Sequence, residues 1–344
     1  MKTPLPYIIF ETTHNCNLHC RYCYNHWNAT HDALSLNPQY SESLRTLKKL
    51  LTIADVTHIT FTGGEPFLSQ RFLELVLFCR MKEIGVTVIS NGNAGTLETY
   101  RHLVALGVGT VEFPLHSADA PVHDRMTGVN GSWSRSVQSI REVIGLKGKV
   151  VAVVVLTKLN CAGIAKTLHY VKSIGVKRVM LARFNIGGRG IRYREELLPG
   201  TNELKAAFSA ANEYAAINTV QISSNVCVPF CVINPVRYPN ISISSCSNAI
   251  ANRPITLDPR GDIRLCNHSP VVVGNIYHDS LAKMFGSEYV QSWSSAKPKY
   301  CRDCESWEGC LGGCRAASEQ MGLGLDHEDP IVGLMKHAVV AVEN

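Results

Sequence analysis

Short runs rich in β-branched and aromatic residues recur along the first half of the chain: Tyr7 to Thr13, His58 to Thr62, Val86 to Ser90, Thr110 to His116, Val150 to Thr157 and Arg178 to Phe184. Each is apolar at successive rather than alternate positions, the pattern of a strand buried on both faces of a parallel sheet. Between them, apolar residues return at helical spacing over Ser41 to Ala54, Gln70 to Ile84, Leu97 to Leu106, Trp133 to Leu146 and Ala162 to Ile174. Six strands alternating with helices predict consecutive right-handed βα units, an α/β fold that closes towards a barrel or stays an open sheet. Another helical stretch, Asn202 to Asn218, leads away from these units. Beyond it the helical period fades while glycine, turn residues and cysteine crowd in, which predicts a small second domain stabilised by metal rather than by a large core.

The unusual polar residues fall at one place in this scheme. A cysteine-rich loop follows the first strand, Gly63-Gly64-Glu65-Pro66 the second and Ser90-Asn91-Gly92 the third, while His116-Ser117 ends the fourth. These are all C-terminal ends of strands, the edge where ligands bind in barrels and open α/β sheets alike.

Composition narrows the class. The 344 residues are 45% hydrophobic, enough for a sizeable core, and the longest apolar runs, such as Val150 to Leu156, are far shorter than a membrane span of about 20 residues. A net charge of +6 comes from scattered Lys and Arg without a basic block, which gives nucleic acid binding no footprint. The 13 cysteines are not preceded by a signal peptide between Met1 and Pro6, so we expect reduced, metal-binding thiols in a soluble, cytoplasmic protein.

The first cysteines stand in Cys16-Asn-Leu-His-Cys20-Arg-Tyr-Cys23, with no further one until Cys79. Cubane iron-sulfur clusters normally take four thiolates, so three this close together leave one iron free to bind a small molecule. Zinc also takes closely spaced thiolates and is the alternative for the triplet alone. In the GGEP segment, adjacent glycines let backbone approach a ligand, and Glu65 offers an acceptor to an ammonium group; the plain alternative is a glycine turn closed by proline. Later cysteines fall at Cys246, then Cys266 five residues after Gly261, then Cys301-x2-Cys304-x5-Cys310-x3-Cys314. Zinc is again the alternative for that last run. Cys79, on an apolar helical face, and Cys161, at a helix start, read as core thiols.

The CxxxCxxC triplet, with Tyr22 before its last cysteine and GGEP one βα unit later, resembles the signature of the radical S-adenosylmethionine (SAM) enzymes. That resemblance implies a partial (β/α)6 barrel, and a [4Fe-4S] cluster held by Cys16, Cys20 and Cys23 whose open iron chelates SAM. It further implies SAM contacts from Tyr22, from Gly63, Gly64, Glu65 and Pro66, and from Ser90, Asn91 and Ser117, the last three being equally readable as strand-end turns and caps. Arg183 and Arg189 resemble a segment at the edge of the substrate cavity, Arg183 being expected among the cofactor contacts, with a surface ion pair as the alternative for either. The later cysteines resemble the SPASM domain, which carries one or two auxiliary [4Fe-4S] clusters; they match six of its seven cysteines. By that resemblance Cys246, Cys266 and Cys314 join one cluster with an upstream thiol, Cys231 or in reserve Cys227, and Cys301, Cys304 and Cys310 hold the second. The seventh cysteine is missing, which leaves Asp326, His327, Asp329 or an exogenous molecule as the second cluster's fourth ligand.

The expected organisation is a barrel over residues 5–200, a helical linker over 201–225, the SPASM domain over 226–332 and a tail over 333–344. The expected activity is reductive cleavage of SAM and hydrogen abstraction from a peptide or protein, giving an oxidative crosslink or residue modification. The expected partners are that substrate and an external electron donor of flavodoxin or ferredoxin type, with no membrane and no nucleic acid. No leader-recognition domain is expected ahead of the cysteine loop. Oxidation of a small molecule of tetrapyrrole or aminoglycoside type is the alternative within the same chemistry. A non-enzymatic iron-sulfur scaffold or electron carrier is the alternative outside it.

Overall fold

The computed structural model describes residues 2–29 and 36–333. Strands β1 (Thr3–Pro4) and β2 (Tyr7–Glu11) lead through the cysteine loop to helix α1 (Tyr40–Ile53), the short β3 (Ala54–Asp55) and β4 (His58–Thr62). Next come α2 (Phe72–Met81), β5 (Gly85–Ile89), α3 (Leu97–Ala105), β6 (Thr110–Pro114), α4 (Ala120–Thr127), α5 (Ser132–Gly145), β7 (Val150–Leu156), α6 (Ile164–Ser173) and β8 (Arg178–Arg183). After the single turn α7 (Arg194–Leu197) and the long α8 (Thr201–Ile217), five short strands follow: β9 (Gln221–Ser224), β10 (Ile241–Ile243), β11 (Ile255–Leu257), β12 (Asp262–Arg264) and β13 (Val272–Asn275).

Strands β2, β4, β5, β6, β7 and β8 pair in parallel and in chain order, with Ile8 opposite Ile59 and Ile59 opposite Val86. This is the parallel sheet that the continuous apolar strands predict, since a sheet covered on both sides needs both faces apolar, and it takes the partial-barrel form that the resemblance implies. Phe10, Phe61 and Phe113 are fully buried between sheet and helices. On the outer layer, α1 buries Leu47 and Leu50, and the Glu42 side chain accepts from the Gln39 N–H at 2.8 Å to cap its start.

Three features go beyond the sequence expectation. Helix α4 is hidden from the hydrophobic period because its Asp124 is used for bonding instead: the carboxylate accepts from the N–H groups of Gly131 and Trp133 at 2.6 and 2.8 Å, fixing the start of α5. Residues 201–225, expected as a linker, extend the barrel instead, since α8 packs on α6 and β9 pairs in parallel with β8. At the opposite edge β11 pairs in parallel with β2, and β12 and β13 follow antiparallel, so the cysteine-rich region continues the same eleven-stranded sheet. An open β2 edge would expose unpaired backbone groups, and β11 covers it. Of the tail, residues 334–344 lie outside the described residues. Among the described residues no helix is long and apolar enough to cross a membrane.

The join at β2 is locked by charge. Glu11, the last residue of β2, and Arg264, the last of β12, form an ion pair with side chains only 2% and 4% exposed. Arg264 also donates to the Ser269 carbonyl at 2.8 Å. Removing one partner leaves the other charged and buried, so Glu11→Ala should cost about 3–5 kcal/mol in denaturant unfolding. Glu11→Ala combined with Arg264→Met should recover part of that loss, and a loss below about 1 kcal/mol in the single variant would contradict the lock.

Candidate active site and metal centres

Beyond the ends of β2 and β4 the backbone continues to pair, and this stitching shapes the cysteine loop. Gly64 N–H donates to the Thr13 carbonyl at 2.6 Å and Glu65 N–H to the Asn15 carbonyl at 2.7 Å. A Cβ on Gly64 would lie 2.1 Å from the Asn15 oxygen and one on Gly63 2.4 Å from that of Thr13, with Gly63 at φ +138°. The two glycines therefore serve a close approach, as the sequence implies, but the surface approached is the neighbouring loop.

Glu65 is fully buried, and three protein donors converge on its carboxylate. Ser90 Oγ and Phe67 N–H reach Oε1 at 2.9 and 3.2 Å, and Asn91 N–H reaches Oε2 at 2.7 Å. Burial pushes its pKa up to about 7 against the pull of those donors. A carboxylate has about four acceptor sites, so one direction is left for a further donor, and a cation there would offset the desolvation. Pro66 begins the 3₁₀ turn Pro66–Leu68 that presents the Phe67 N–H.

The triplet's sulfurs share one neighbourhood. Burial pushes all three thiols up, and at Cys20 the charge of Cys23 and Cys16 adds to it. Cations and amide donors face them: Arg189 draws on Cys20 and Cys23, Asn28 Nδ2 donates to Cys23 Sγ at 3.3 Å, and the Tyr22 hydroxyl faces Cys20. Three crowded thiols that resist ionisation by themselves, ringed by sulfur-directed donors, fit the iron of a cluster, whose positive charge would ionise them. Asn91 Nδ2 bonds Asn17 Oδ1 at 2.8 Å and lies 3.6 Å from Cys16 Sγ. Ser117 Oγ accepts the Asp119 N–H at 3.0 Å, the turn role allowed for it, while the Tyr22 ring packs edge-on against His116 near it in sequence. The asparagines of this loop, Asn17, Asn25 and Asn28, belong to none of the sequence motifs; their density around the triplet is the available signal, and Asn25 ties the loop to the Gly63 carbonyl at 3.1 Å.

The later cysteines gather in two further sets. Cys227 hydrogen-bonds Cys246 and Cys314, with Cys266 in electrostatic reach of the last two. Cys314 is held well below the ordinary thiol range, first by the Cys227 thiol and then, against burial, by His268 and Arg183. Asn185 Nδ2 donates to its sulfur at 3.2 Å. In the second set, burial and the charges of Cys310, Cys301 and Cys304 push Cys231 up to about 11, and Phe230 N–H donates to Cys310 Sγ at 3.2 Å. Among the described residues no group of three or more His, Cys, Asp or Glu side chains closes around a single metal ion.

This placement differs from the sequence expectation in three respects. Cys231, expected beside Cys246, Cys266 and Cys314, faces the other set, and the reserve Cys227 takes its place, a choice that spacing alone does not encode. Arg183 does not reach the SAM side of the rim: its side chain is 2% exposed, its Nε donates to the Cys227 carbonyl at 2.9 Å, and it pairs with Asp329. Asp329 also accepts from the Cys314 N–H at 2.7 Å and the Ile331 N–H at 3.1 Å, so its carboxylate is engaged away from Cys301, Cys304 and Cys310. Asp326 and His327 are exposed. Cys79 and Cys161 lie in the hydrophobic core, as read from sequence.

Side chains connect the first two sets. Tyr24, next to Cys23, accepts from Asn267 Nδ2 at 2.5 Å, feels the charge of Cys266 and packs edge-on against His268 at 5.0 Å. Gln320 Nε2 donates both to the Tyr24 carbonyl at 2.8 Å and to the His268 carbonyl at 2.6 Å. The cysteine loop and the first auxiliary set are thus held together by a continuous polar bridge.

The model of the radical SAM superfamily matches residues 10–171, and that of the SPASM iron-sulfur cluster-binding domain matches 246–305. PqqA peptide cyclase of Xanthomonas euvesicatoria pv. vesicatoria is 25% identical over 334 residues, covering 94% of this chain and 86% of that protein. The PqqA peptide cyclase of Methylocella silvestris is 25% identical over 343 residues, covering 95% and 87%. Among solved structures, Streptococcus suis SuiB bound to precursor peptide SuiA superposes with a TM-score of 0.73 at 16% identity, covering 96% of this chain and 76% of that one. The anSMEcpe protein with bound AdoMet gives 0.74 at 15% identity, covering 98% and 92%. With the cysteine triplet and the glycine-stitched GGEP loop at adjoining strand ends and two further thiol sets downstream, the chain carries a domain of the radical SAM superfamily followed by a SPASM iron-sulfur cluster-binding domain.

Proposed function

We propose that this chain oxidises a ribosomally made peptide, forming a crosslink or modifying a residue within it. The observation that carries the reading is the polar bridge of Tyr24, Asn267, His268 and Gln320, which joins the SAM-type cysteine loop to an auxiliary thiol set. Relatives named as peptide cyclases match nearly end to end and support the substrate class.

With its cluster and SAM bound, the site supplies a 5′-deoxyadenosyl radical that removes a hydrogen atom from the substrate. The residues around it have separable tasks. Cys16, Cys20 and Cys23 would hold the cluster; Glu65, fixed by Ser90 and Asn91, would offer its remaining acceptor direction to the SAM amino group; the Tyr22 ring beside the triplet packs edge-on against His116. A crosslink removes two hydrogens from the peptide, one as an atom and the other as a proton and an electron. An electron acceptor beside the site is therefore required, and the auxiliary sets supply the ligands for it. An external donor of flavodoxin or ferredoxin type provides the reducing electron, and the net charge of +6 suits an acidic partner. The thirteen free thiols suit the reducing cytoplasm.

Anaerobically reconstituted, dithionite-reduced protein should convert SAM to 5′-deoxyadenosine, and Cys20→Ala should abolish this while auxiliary iron stays bound. Undiminished cleavage in the variant would remove the triplet from the active site. Glu65→Gln turns an amide N–H₂ towards groups that are already donors, so SAM binding by calorimetry should weaken about 10- to 100-fold at unchanged iron content. Equal affinity would exclude Glu65 from SAM recognition. A peptide encoded beside the gene should lose two hydrogen atoms in mass on incubation with enzyme and SAM, whereas turnover confined to a small molecule would overturn the substrate class.

A further inference from the structure

We propose that the segment Cys227-Val-Pro-Phe-Cys231 bridges the two auxiliary centres, Cys227 completing the one with Cys246, Cys266 and Cys314, and Cys231 completing the one with Cys301, Cys304 and Cys310. An upstream thiolate thereby stands in for the cysteine that the chain lacks after Cys314. The proposal concerns the ligands alone and is independent of the peptide reading.

Two four-residue steps face each other here. On one segment Cys227 and Cys231 stand four apart; on the other, Cys310 and Cys314 do, and each pair has one member in each set. Direct contacts dock the segments: Phe230 N–H donates to Cys310 Sγ at 3.2 Å, and a Cβ on Gly313 would lie 2.7 Å from the Pro229 ring. Gly313 has φ +83°, and a Cβ on Gly309 would sit 3.2 Å from the Phe230 ring, so glycine is required at the first and favoured at the second. Pro229 limits the turn, whose carbonyl accepts from Val232 N–H at 2.8 Å and Ile233 N–H at 3.0 Å, and Arg183 clamps the Cys227 carbonyl from the barrel. The segment is thus held at both ends in a shape that separates its two thiols.

Asp329 is engaged by Arg183 and two backbone N–H groups and so does not compete, while Glu328, the carboxylate within electrostatic reach of Cys301, is the rival to Cys231. With Cys231 in place, the thirteen cysteines divide into a triplet, two sets of four and two core thiols. Both auxiliary clusters then have four thiolates, and no auxiliary iron is open to substrate. Their role becomes electron transfer, between a first centre of buried and half-buried thiols and a second one whose Cys231 and Cys304 are exposed.

The test uses the full chain with Cys16, Cys20 and Cys23 replaced by alanine, leaving auxiliary iron of about eight atoms per chain. Adding Cys231→Ala should change one auxiliary electron paramagnetic resonance signal, and should change nothing further once Cys301→Ala and Cys304→Ala have removed that centre. Adding Cys227→Ala instead should change the other signal. Unaltered signals with Cys231→Ala, an effect that persists without Cys301 and Cys304, or a signal change from Glu328→Ala or Asp326→Ala would overturn the proposal. Should the alanine variants fail to fold, the wild-type holoprotein still decides. Cys231, though exposed, should resist iodoacetamide until iron is chelated, and its alkylation in fully loaded protein would overturn the assignment.

Discussion

Glu11 and Arg264 are buried against each other where β2 runs out into the cysteine loop, and the positions of both metal regions follow from that contact. Each charge is unaffordable without the other in so dry a place, so β12 sits at one location relative to β2. That location brings β11 into parallel register with β2, Ile255 opposite Ile8, and delivers Cys266 and His268 to the neighbourhood of Tyr24 and Cys23. The SPASM region is therefore no appendage. It is an extension of the barrel sheet, and its first thiol set is positioned by the strand that also launches the cysteine-triplet loop.

The same economy shows in the loops. Gly63 and Gly64 let the GGEP turn lie on the backbone of Thr13 and Asn15, and Glu65 then ties that turn to Ser90 and Asn91 beyond β5. Three successive strand ends become one rigid rim through backbone pairing and a single buried carboxylate. Strand ends are fixed by the sheet beneath them, so a reactive site built there inherits the sheet's precision.

Much of this was legible in the sequence because the physics is local. Six strands with continuous apolar runs, such as Val150–Leu156, have few alternatives, and the cysteine triplet and GGEP announce chemistry by their spacing. What was not legible depends on contacts distant along the chain. Strands β11 and β12 are three residues each and too short to show a period, so their pairing with β2 could not be read. Nothing near Arg183 indicates that its guanidinium turns away from the rim towards Asp329, 146 positions later. Cys227 and Cys231 are equivalent by spacing, and only the fold separates them. The stretch 201–225 reads as a linker because it follows the last of the six expected strands, whereas the packing of α8 on α6 and the pairing of β9 with β8 make it barrel.

The central claim is that a radical generated at the triplet takes a hydrogen atom from a peptide at this rim. It is tested most directly by offering the enzyme the peptide encoded beside its gene, deuterated at the residue that becomes oxidised, and measuring the isotope in the 5′-deoxyadenosine produced. The account requires deuterium from the peptide to appear in 5′-deoxyadenosine in step with peptide oxidation. Oxidised peptide accompanied by 5′-deoxyadenosine free of deuterium at every labelled position would contradict it.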